Sequence, residues 1–314
     1  MAYENLKPLP LEVIKQIQDQ SVKMLYKLDE ICKKHDIQYW AAYGTMLGAI
    51  RHKGFIPWDD DLDVCMMRED FHKLCNVPAE EWGEEFIFCS PESDEEFHDR
   101  PFGRVYIRSS NIQCYRDVYS WRRWSDGRPW NTKLILDIFV FDRIPDSDAE
   151  FDKIHKKLFP MLDKTYKLVK LKPETNKTDV LSQTKKVIKQ AYSGMMRAVY
   201  KRPWVHINQI VEKTVASHQQ GSRIATYCTT DFNKYLYDDV FPLTEAPFED
   251  INVPIPKNWE QMLKDMYGDY MAFPPESERG HLDLVYCDLG NGTVFIVDPI
   301  KGSLGEGKEK NVSI

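Results

Sequence analysis

Apolar residues recur at helical spacing between residues 10 and 34, where Ile14, Ile17, Met24, Leu25, Leu28, Ile31 and Cys32 share one broad face. The segment therefore predicts an amphipathic helix. Ile37 to Tyr43 reads as a strand that delivers the chain to Gly44. A short helix follows through Leu47, Gly48 and Ile50 and is broken by Gly54 and Pro57. From Asp61 the pattern alternates, so that Asp61, Asp63 and Cys65 point to one side of an extended strand and Leu62, Val64 and Met66 to the other, core-facing side. Phe86–Phe88, Arg104–Arg108 and Leu134–Phe141 predict further strands. Asp142 is assigned to the turn Asp142-Arg143-Ile144-Pro145-Asp146. Beyond it, Ile154, Leu158, Met161 and Leu162 mark a helix face, with a break at Pro173. Asp288-Leu289-Gly290-Asn291-Gly292 predicts a hairpin turn between short strands. No internal repeat is visible, and the tail from Lys301 is expected to be flexible.

At 314 residues the chain can bury a sizeable core. Its formal net charge of −7 argues against general nucleic-acid binding. No run of 18 apolar residues occurs, and Met1-Ala2-Tyr3-Glu4-Asn5 lacks the basic and apolar regions of a signal peptide, so a cytoplasmic protein is expected. Seven cysteines, without a C-x-x-C pair, read as reduced packing residues rather than a zinc site. The charge is unevenly spread. Residues 151–220 hold 15 Lys and Arg against five acids, a balance of +10 that leaves −17 on the remainder. Two readings stand for this helical segment: a solvated lobe, or a basic face that meets anionic lipid or a lipid-diphosphate acceptor at the inner membrane face.

The stretch Tyr43 to Cys65 carries the chemistry. Asp61 and Asp63 would lie about 7 Å apart along one strand face. Carboxylates placed so closely repel, by roughly 4 kcal/mol at about 4 Å in a medium of dielectric near 20. A hard divalent cation relieves that repulsion, and Mg²⁺ commonly brings substrate phosphates with it. A bare D-x-D is more often a solvated acidic loop. Here the pair enters an apolar run, a Gly44-Thr45 helix start lies upstream, and Arg51, His52 and Lys53 fall between, which together suit a metal-plus-phosphate site. A third acid, Asp137, stands alone among seven apolar residues in Leu134–Phe141. A buried charge is costly unless it is paired or metal-bound, so Asp137 either joins the site, escapes at a strand end, or meets an arginine.

The run Gly44-Thr45-Met46-Leu47-Gly48-Ala49-Ile50-Arg51, continued by His52 to Asp63, closely resembles the signature of the LicD family. That family comprises phosphorylcholine transferases of bacterial surface glycans, with fukutin-type ribitol-phosphate transferases among its relatives. Further similarity lies in Phe248-Glu249-Asp250 through Val253-Pro254, in Tyr267-Gly268-Asp269 to Pro274-Pro275, and at Arg279. A looser match, Arg104-Val105-Tyr106-Ile107-Arg108, is followed by Ser109-Ser110-Asn111 where the family more often shows an acid and a threonine.

The resemblance implies an α+β nucleotidyltransferase-type fold, a mixed sheet flanked by helices, here with an added helical lobe. It divides the chain into a catalytic core (1–148), the basic lobe (149–222), a segment completing the site (223–300) and the tail (301–314). It further implies that Asp61, Asp63 and Asp137 hold one or two Mg²⁺, or Mn²⁺, on the diphosphate of a CDP-alcohol, CDP-choline foremost. Arg51, Lys53 and Arg104 would neutralise phosphate oxygens, and Gly44 and the Thr45 hydroxyl would position them. Arg279 and His281 would close the site. The expected reaction moves a phosphoalcohol to a sugar hydroxyl of a surface glycan (teichoic acid, lipopolysaccharide or capsule type, the acceptor lipid-linked), with Asp137 as base and CMP leaving. Attack at the α-phosphorus with release of pyrophosphate, and a non-catalytic binding protein, are the alternatives. One cluster stands outside the resemblance: Trp121 and Trp124, with Tyr115, Tyr119, Trp130 and four arginines, form either a quaternary-ammonium cage or a packed insertion.

Overall fold

The computed structural model describes residues 9–93, 100–114, 133–169, 184, 191, 203–218, 220–227, 234–276, 279, 284–298 and 303–304. The first amphipathic pattern folds as α1 (Leu11–Lys34), whose apolar face, including Val13, Ile17, Met24, Leu25 and Leu28, is buried in the main core. The strand expected over 37–43 is confined to β1 (Trp40–Ala41). It is bounded by Asp36 and Tyr43, both at positive φ (52° and 44°), conformations that interrupt extended backbone. Tyr43 opens α2 (Tyr43–Arg51), and the chain returns as β2 (Asp63–Met67) and α3 (Arg68–Cys75). Leu62, Val64 and Met66 are buried as expected; so is Cys65, because both faces of β2 are covered.

The sheet is completed by β3 (Phe86–Cys89), β4 (Gly103–Ile107) and β6 (Ile135–Ile144), with β5 (Asn111–Cys114) leading elsewhere. Its path runs β1-β2-β6-β4-β3, with β7 (Arg223–Thr226) and β8 (Lys234–Leu236) added beside β6. The sheet is mixed. β2 and β6 are parallel, while β1–β2, β4–β6, β3–β4 and β6–β7 are antiparallel. This is the helix-flanked mixed sheet of an α+β protein. The first half of β6 pairs β4 and its second half pairs β7, so β6 runs on to Ile144. Asp142 consequently lies inside a strand, not in the turn assigned to it. It is buried there because Arg68 grips it with two bonds, Nε to Oδ1 at 2.5 Å and Nη2 to Oδ2 at 2.6 Å.

Two helices, α4 (Asp148–Val169) and α5 (Pro203–Val215), bury a second core of Phe151, Leu158, Leu162, Trp204, Ile207 and Val211 against Ile144, Ala225 and Tyr227. A short α6 (Tyr237–Val240) precedes the hairpin β9 (Thr244–Phe248) and β10 (Ile251–Ile255), then α7 (Trp259–Tyr267). The hairpin expected around Gly290 joins β11 (Leu284–Asp288) to β12 (Val294–Asp298), and β11 pairs with β5. Ser303–Leu304, in the tail expected to be flexible, form β13 on the open edge of β12. Among the described residues no helix is long and apolar enough to cross a membrane.

Candidate active site

The parallel register of β2 and β6 sets Asp63 directly beside Asp137, and the antiparallel register of β4 sets Arg104 on the far side of Asp137. Three strands thus place acid, acid and arginine side by side. Arg104 binds Asp137 with both ends of its fork, Nε to Oδ1 at 2.5 Å and Nη2 to Oδ2 at 3.1 Å. Asp137 is thus paired with an arginine on one side and crowded by a second acid on the other.

The loop before β2 brings three further acids. Asp59, Asp60 and Asp61 each offer a carboxylate oxygen, and these oxygens lie within 4.8 Å of one another. Such crowding penalises the charged forms. Burial, then the charges of Asp137, Asp61 and Asp59, holds the Asp63 carboxyl well above the usual carboxylate range. Asp61 is exposed as a residue, yet the protein packed round its carboxyl, then Asp59 and Asp137, push it up to about 7 against the pull of Arg104. Asp60 is raised by burial and by Asp61 and Asp59. A set of oxygen-only donors whose mutual repulsion is relieved by positive charge fits a hard divalent cation.

The loop is held from three directions. Gln18, a buried polar residue of α1, donates from Nε2 to the carbonyls of Ile56 at 3.0 Å and Asp59 at 2.7 Å. The Thr45 hydroxyl accepts the Asp63 N–H at 2.8 Å, so this buried side chain fixes the first residue of β2. A Cβ at Gly44 would lie 2.6 Å from Asp59 Oδ2, so a side chain there would push that carboxylate out of place. From the C-terminal half, Glu249 accepts the Phe55 N–H at 3.1 Å and donates its own N–H to the Lys53 carbonyl at 2.9 Å.

Other expected site residues lie at the rim or beyond. Lys53 is exposed and held through its backbone, at φ 59°. Arg51 donates to the carbonyls of Tyr270 at 2.7 Å and Ala272 at 3.0 Å, which places it under the C-terminal loop. Arg279 donates to the Pro274 carbonyl at 2.8 Å and lies over Trp58. His281, Trp121 and Trp124 fall outside the described residues. Sequence reasoning did not single out Tyr267, Gln18, Asp59 or Asp60. The Tyr267 phenol is pushed up to about 12 by burial and then by the charges of Asp63 and Asp59, so this neutral O–H borders the acids. Its signal was the Tyr267-Gly268-Asp269 match; Gln18 is one of several buried polar residues of α1 and carried no local signal.

Residues 36–161 match the family described as LicD/FKTN/FKRP, nucleotidyltransferase domain. The match spans the acids, α2 and all of β2, β4 and β6. Over these residues the chain is similar to the LicD family. Over 277 residues it is 24% identical to the lipopolysaccharide cholinephosphotransferase LicD of Haemophilus influenzae, covering 84% of this chain and 94% of that one. Over 59 residues it is 46% identical to an uncharacterized protein of Rickettsia typhi, a stretch of 18% of this chain and 19% of the other. A second uncharacterized protein, of Rickettsia prowazekii, is likewise 46% identical over 59 residues, covering 18% of this chain and 22% of its own.

Proposed function

We propose that this chain is a LicD-family transferase that moves a phosphoalcohol, phosphocholine foremost, from a CDP-alcohol to a hydroxyl of a surface glycan. The observation that carries the reading is the Asp63–Asp137–Arg104 register beside the acidic loop, within a chain aligned along 94% of a cholinephosphotransferase. Asp61, Asp63 and Asp137 would supply oxygens to Mg²⁺ or Mn²⁺. Bound there, the ion would neutralise charge on the donor diphosphate.

The acceptor oxygen forms a bond to the phosphorus that bears the alcohol. The bond from that phosphorus to the bridging oxygen breaks, and CMP leaves with the oxygen. Positioning and electrostatics carry most of such a barrier. Asp137, oriented by Arg104 through both oxygens, would take the proton of the attacking hydroxyl, as expected from sequence. Arg104 balances the acids, and Gln18, Thr45 and Glu249 hold the loop. A lipid-linked acceptor would bring the protein to the cytoplasmic face of the membrane.

The test is thermal shift with Mg²⁺ against CDP-choline, CDP-ribitol, CDP-glycerol, CTP and ATP, followed by product analysis with a glycan acceptor. Stabilisation by a CDP-alcohol, lost in Asp63→Ala, and release of CMP support the reading. A ligand at 100 times its dissociation constant stabilises by about 2.7 kcal/mol, enough to see. Stabilisation by CTP alone with release of pyrophosphate would replace it with nucleotidyl transfer.

A further inference from the structure

Beside the acidic loop stands an aromatic corner. Trp58, the residue before Asp59, meets Phe273 edge to face, with ring centroids 5.8 Å apart and planes at 81°. The Arg279 guanidinium carbon lies 4.8 Å from the Trp58 centroid and 5.7 Å from that of Phe273, within cation–π range of both rings. His52 backs the Phe273 ring in a stack at 5.6 Å, the Arg51 guanidinium carbon lies 5.1 Å from the same ring, and Arg51 donates to the carbonyls of Tyr270 and Ala272, which ties residues 270–272 to α2. Phe273 remains 57% exposed, an unusual degree for a large apolar side chain that is positioned this closely.

Two rings at right angles present two negative π-faces to one point, which suits a bulky, weakly hydrated cation. Arg279 already fills that point and is tethered there by a backbone carbonyl, so the corner's affinity for positive charge is realised in the structure. The acids of the adjoining loop add attraction of the same sign. Resting on the transferase reading above, we infer that the Trp58–Phe273 corner is the seat of the donor's quaternary ammonium group, and that Arg279 is the resident cation this group displaces. The corner then sets the choice among CDP-alcohols, whereas the acids handle the diphosphate common to all of them.

The experiment measures binding of CDP-choline and CDP-glycerol to the full chain with Mg²⁺ by calorimetry, in wild type, Trp58→Leu, Phe273→Leu and Arg279→Gln. Trp58→Leu and Phe273→Leu should weaken CDP-choline by about 5- to 10-fold while leaving CDP-glycerol within about twofold, the range expected of a lost cation–π contact. Arg279→Gln should tighten CDP-choline, because its competitor is gone. The exposed Phe273 serves as the variant whose loss leaves the core intact, should Trp58→Leu fail to fold. Equal weakening of both ligands overturns the seat, as does a loss of both in Arg279→Gln, which would make that residue a phosphate ligand. Phosphatidylcholine vesicles that bind through Trp58, with CDP-choline affinity unchanged, would move the seat to a lipid headgroup and overturn it also. If wild type binds neither nucleotide, the transferase reading itself falls, and this inference with it.

Discussion

Asp63, Asp137 and Arg104 lie at one level of three neighbouring strands, yet their charges are unequally balanced. Arg104 makes two hydrogen bonds to Asp137, and its charge does not offset the burial and neighbouring acids that keep the Asp61 and Asp63 carboxyls raised. Removing either β-strand acid should lower turnover on the order of 100-fold or more with the fold retained, as for other preorganised electrostatic groups; CMP release and circular dichroism of Asp63→Ala and Asp137→Ala check this. Gly44→Ala should behave differently from a core lesion. The new methyl group meets the end of the Asp59 side chain, which can swing away, so the melting temperature should hold while turnover falls. The acids also dictate a pH dependence. In the folded, metal-free protein the Asp61 carboxyl takes up its proton near pH 7, whereas unfolded aspartate does so near pH 4. The folded state therefore binds more protons between these values. Its stability from this group is full below about pH 4 and is lost as pH rises through about 7. Melting temperatures of the chelated protein should fall from pH 5 to pH 8, and Mg²⁺ should flatten the slope. A flat profile without metal would contradict the crowding described here.

At the scale of elements, the site is a junction that α1, α2 and the β9–β10 hairpin all reach, and the first of these contacts is testable. Gln18→Ala deletes two hydrogen bonds from α1 to the acidic loop. At about 0.5–1.5 kcal/mol each, it should cost roughly 1–3 kcal/mol in urea unfolding and should lower turnover as well, since Asp59 loses its anchor. How far such junctions can be read beforehand depends on range. The period of α1 and the hairpin at Gly290 follow from neighbouring residues and are found where the pattern puts them, and α2 ends at Arg51, three residues ahead of the Gly54 expected to break it. Asp137 stood out as a lone charge in an apolar run for the same reason. What the pattern does not contain is pairing across the sheet. Asp142 looks like a turn residue until Arg68, 74 positions earlier, neutralises it. Arg51 looks like a phosphate ligand from the sequence, and nothing local shows that its guanidinium is also held by the carbonyls of Tyr270 and Ala272. Polar residues satisfied by distant segments are invisible to local reasoning, and they account for most of what differs.

Across the whole molecule, Asp142 separates the chemistry from the attachment of the helical lobe. It lies five residues beyond Asp137 along β6, roughly 16 Å at about 3.3 Å per residue. There Arg68 binds Asp142 and also reaches Glu212 of α5 at 3.2 Å, while His72 approaches the same Glu212 oxygen at 3.2 Å. One buried arginine thus joins the start of α3, the end of β6 and the lobe. Asp142→Asn leaves Arg68 buried with half of its partner charge gone, and breaking buried pairs of this kind costs about 3–5 kcal/mol. Replacing both members with apolar residues of similar volume, Arg68→Met with Asp142→Leu, removes the uncompensated charge and should recover much of that loss. Neither change touches the acids at the other end of the strands. The expected outcome is a fall in unfolding free energy for Asp142→Asn, partial recovery in the double variant, and turnover per folded molecule near the original value in both. Turnover that falls in the double variant despite recovered stability would mean that the lobe's placement, through Glu212, is needed for the reaction itself.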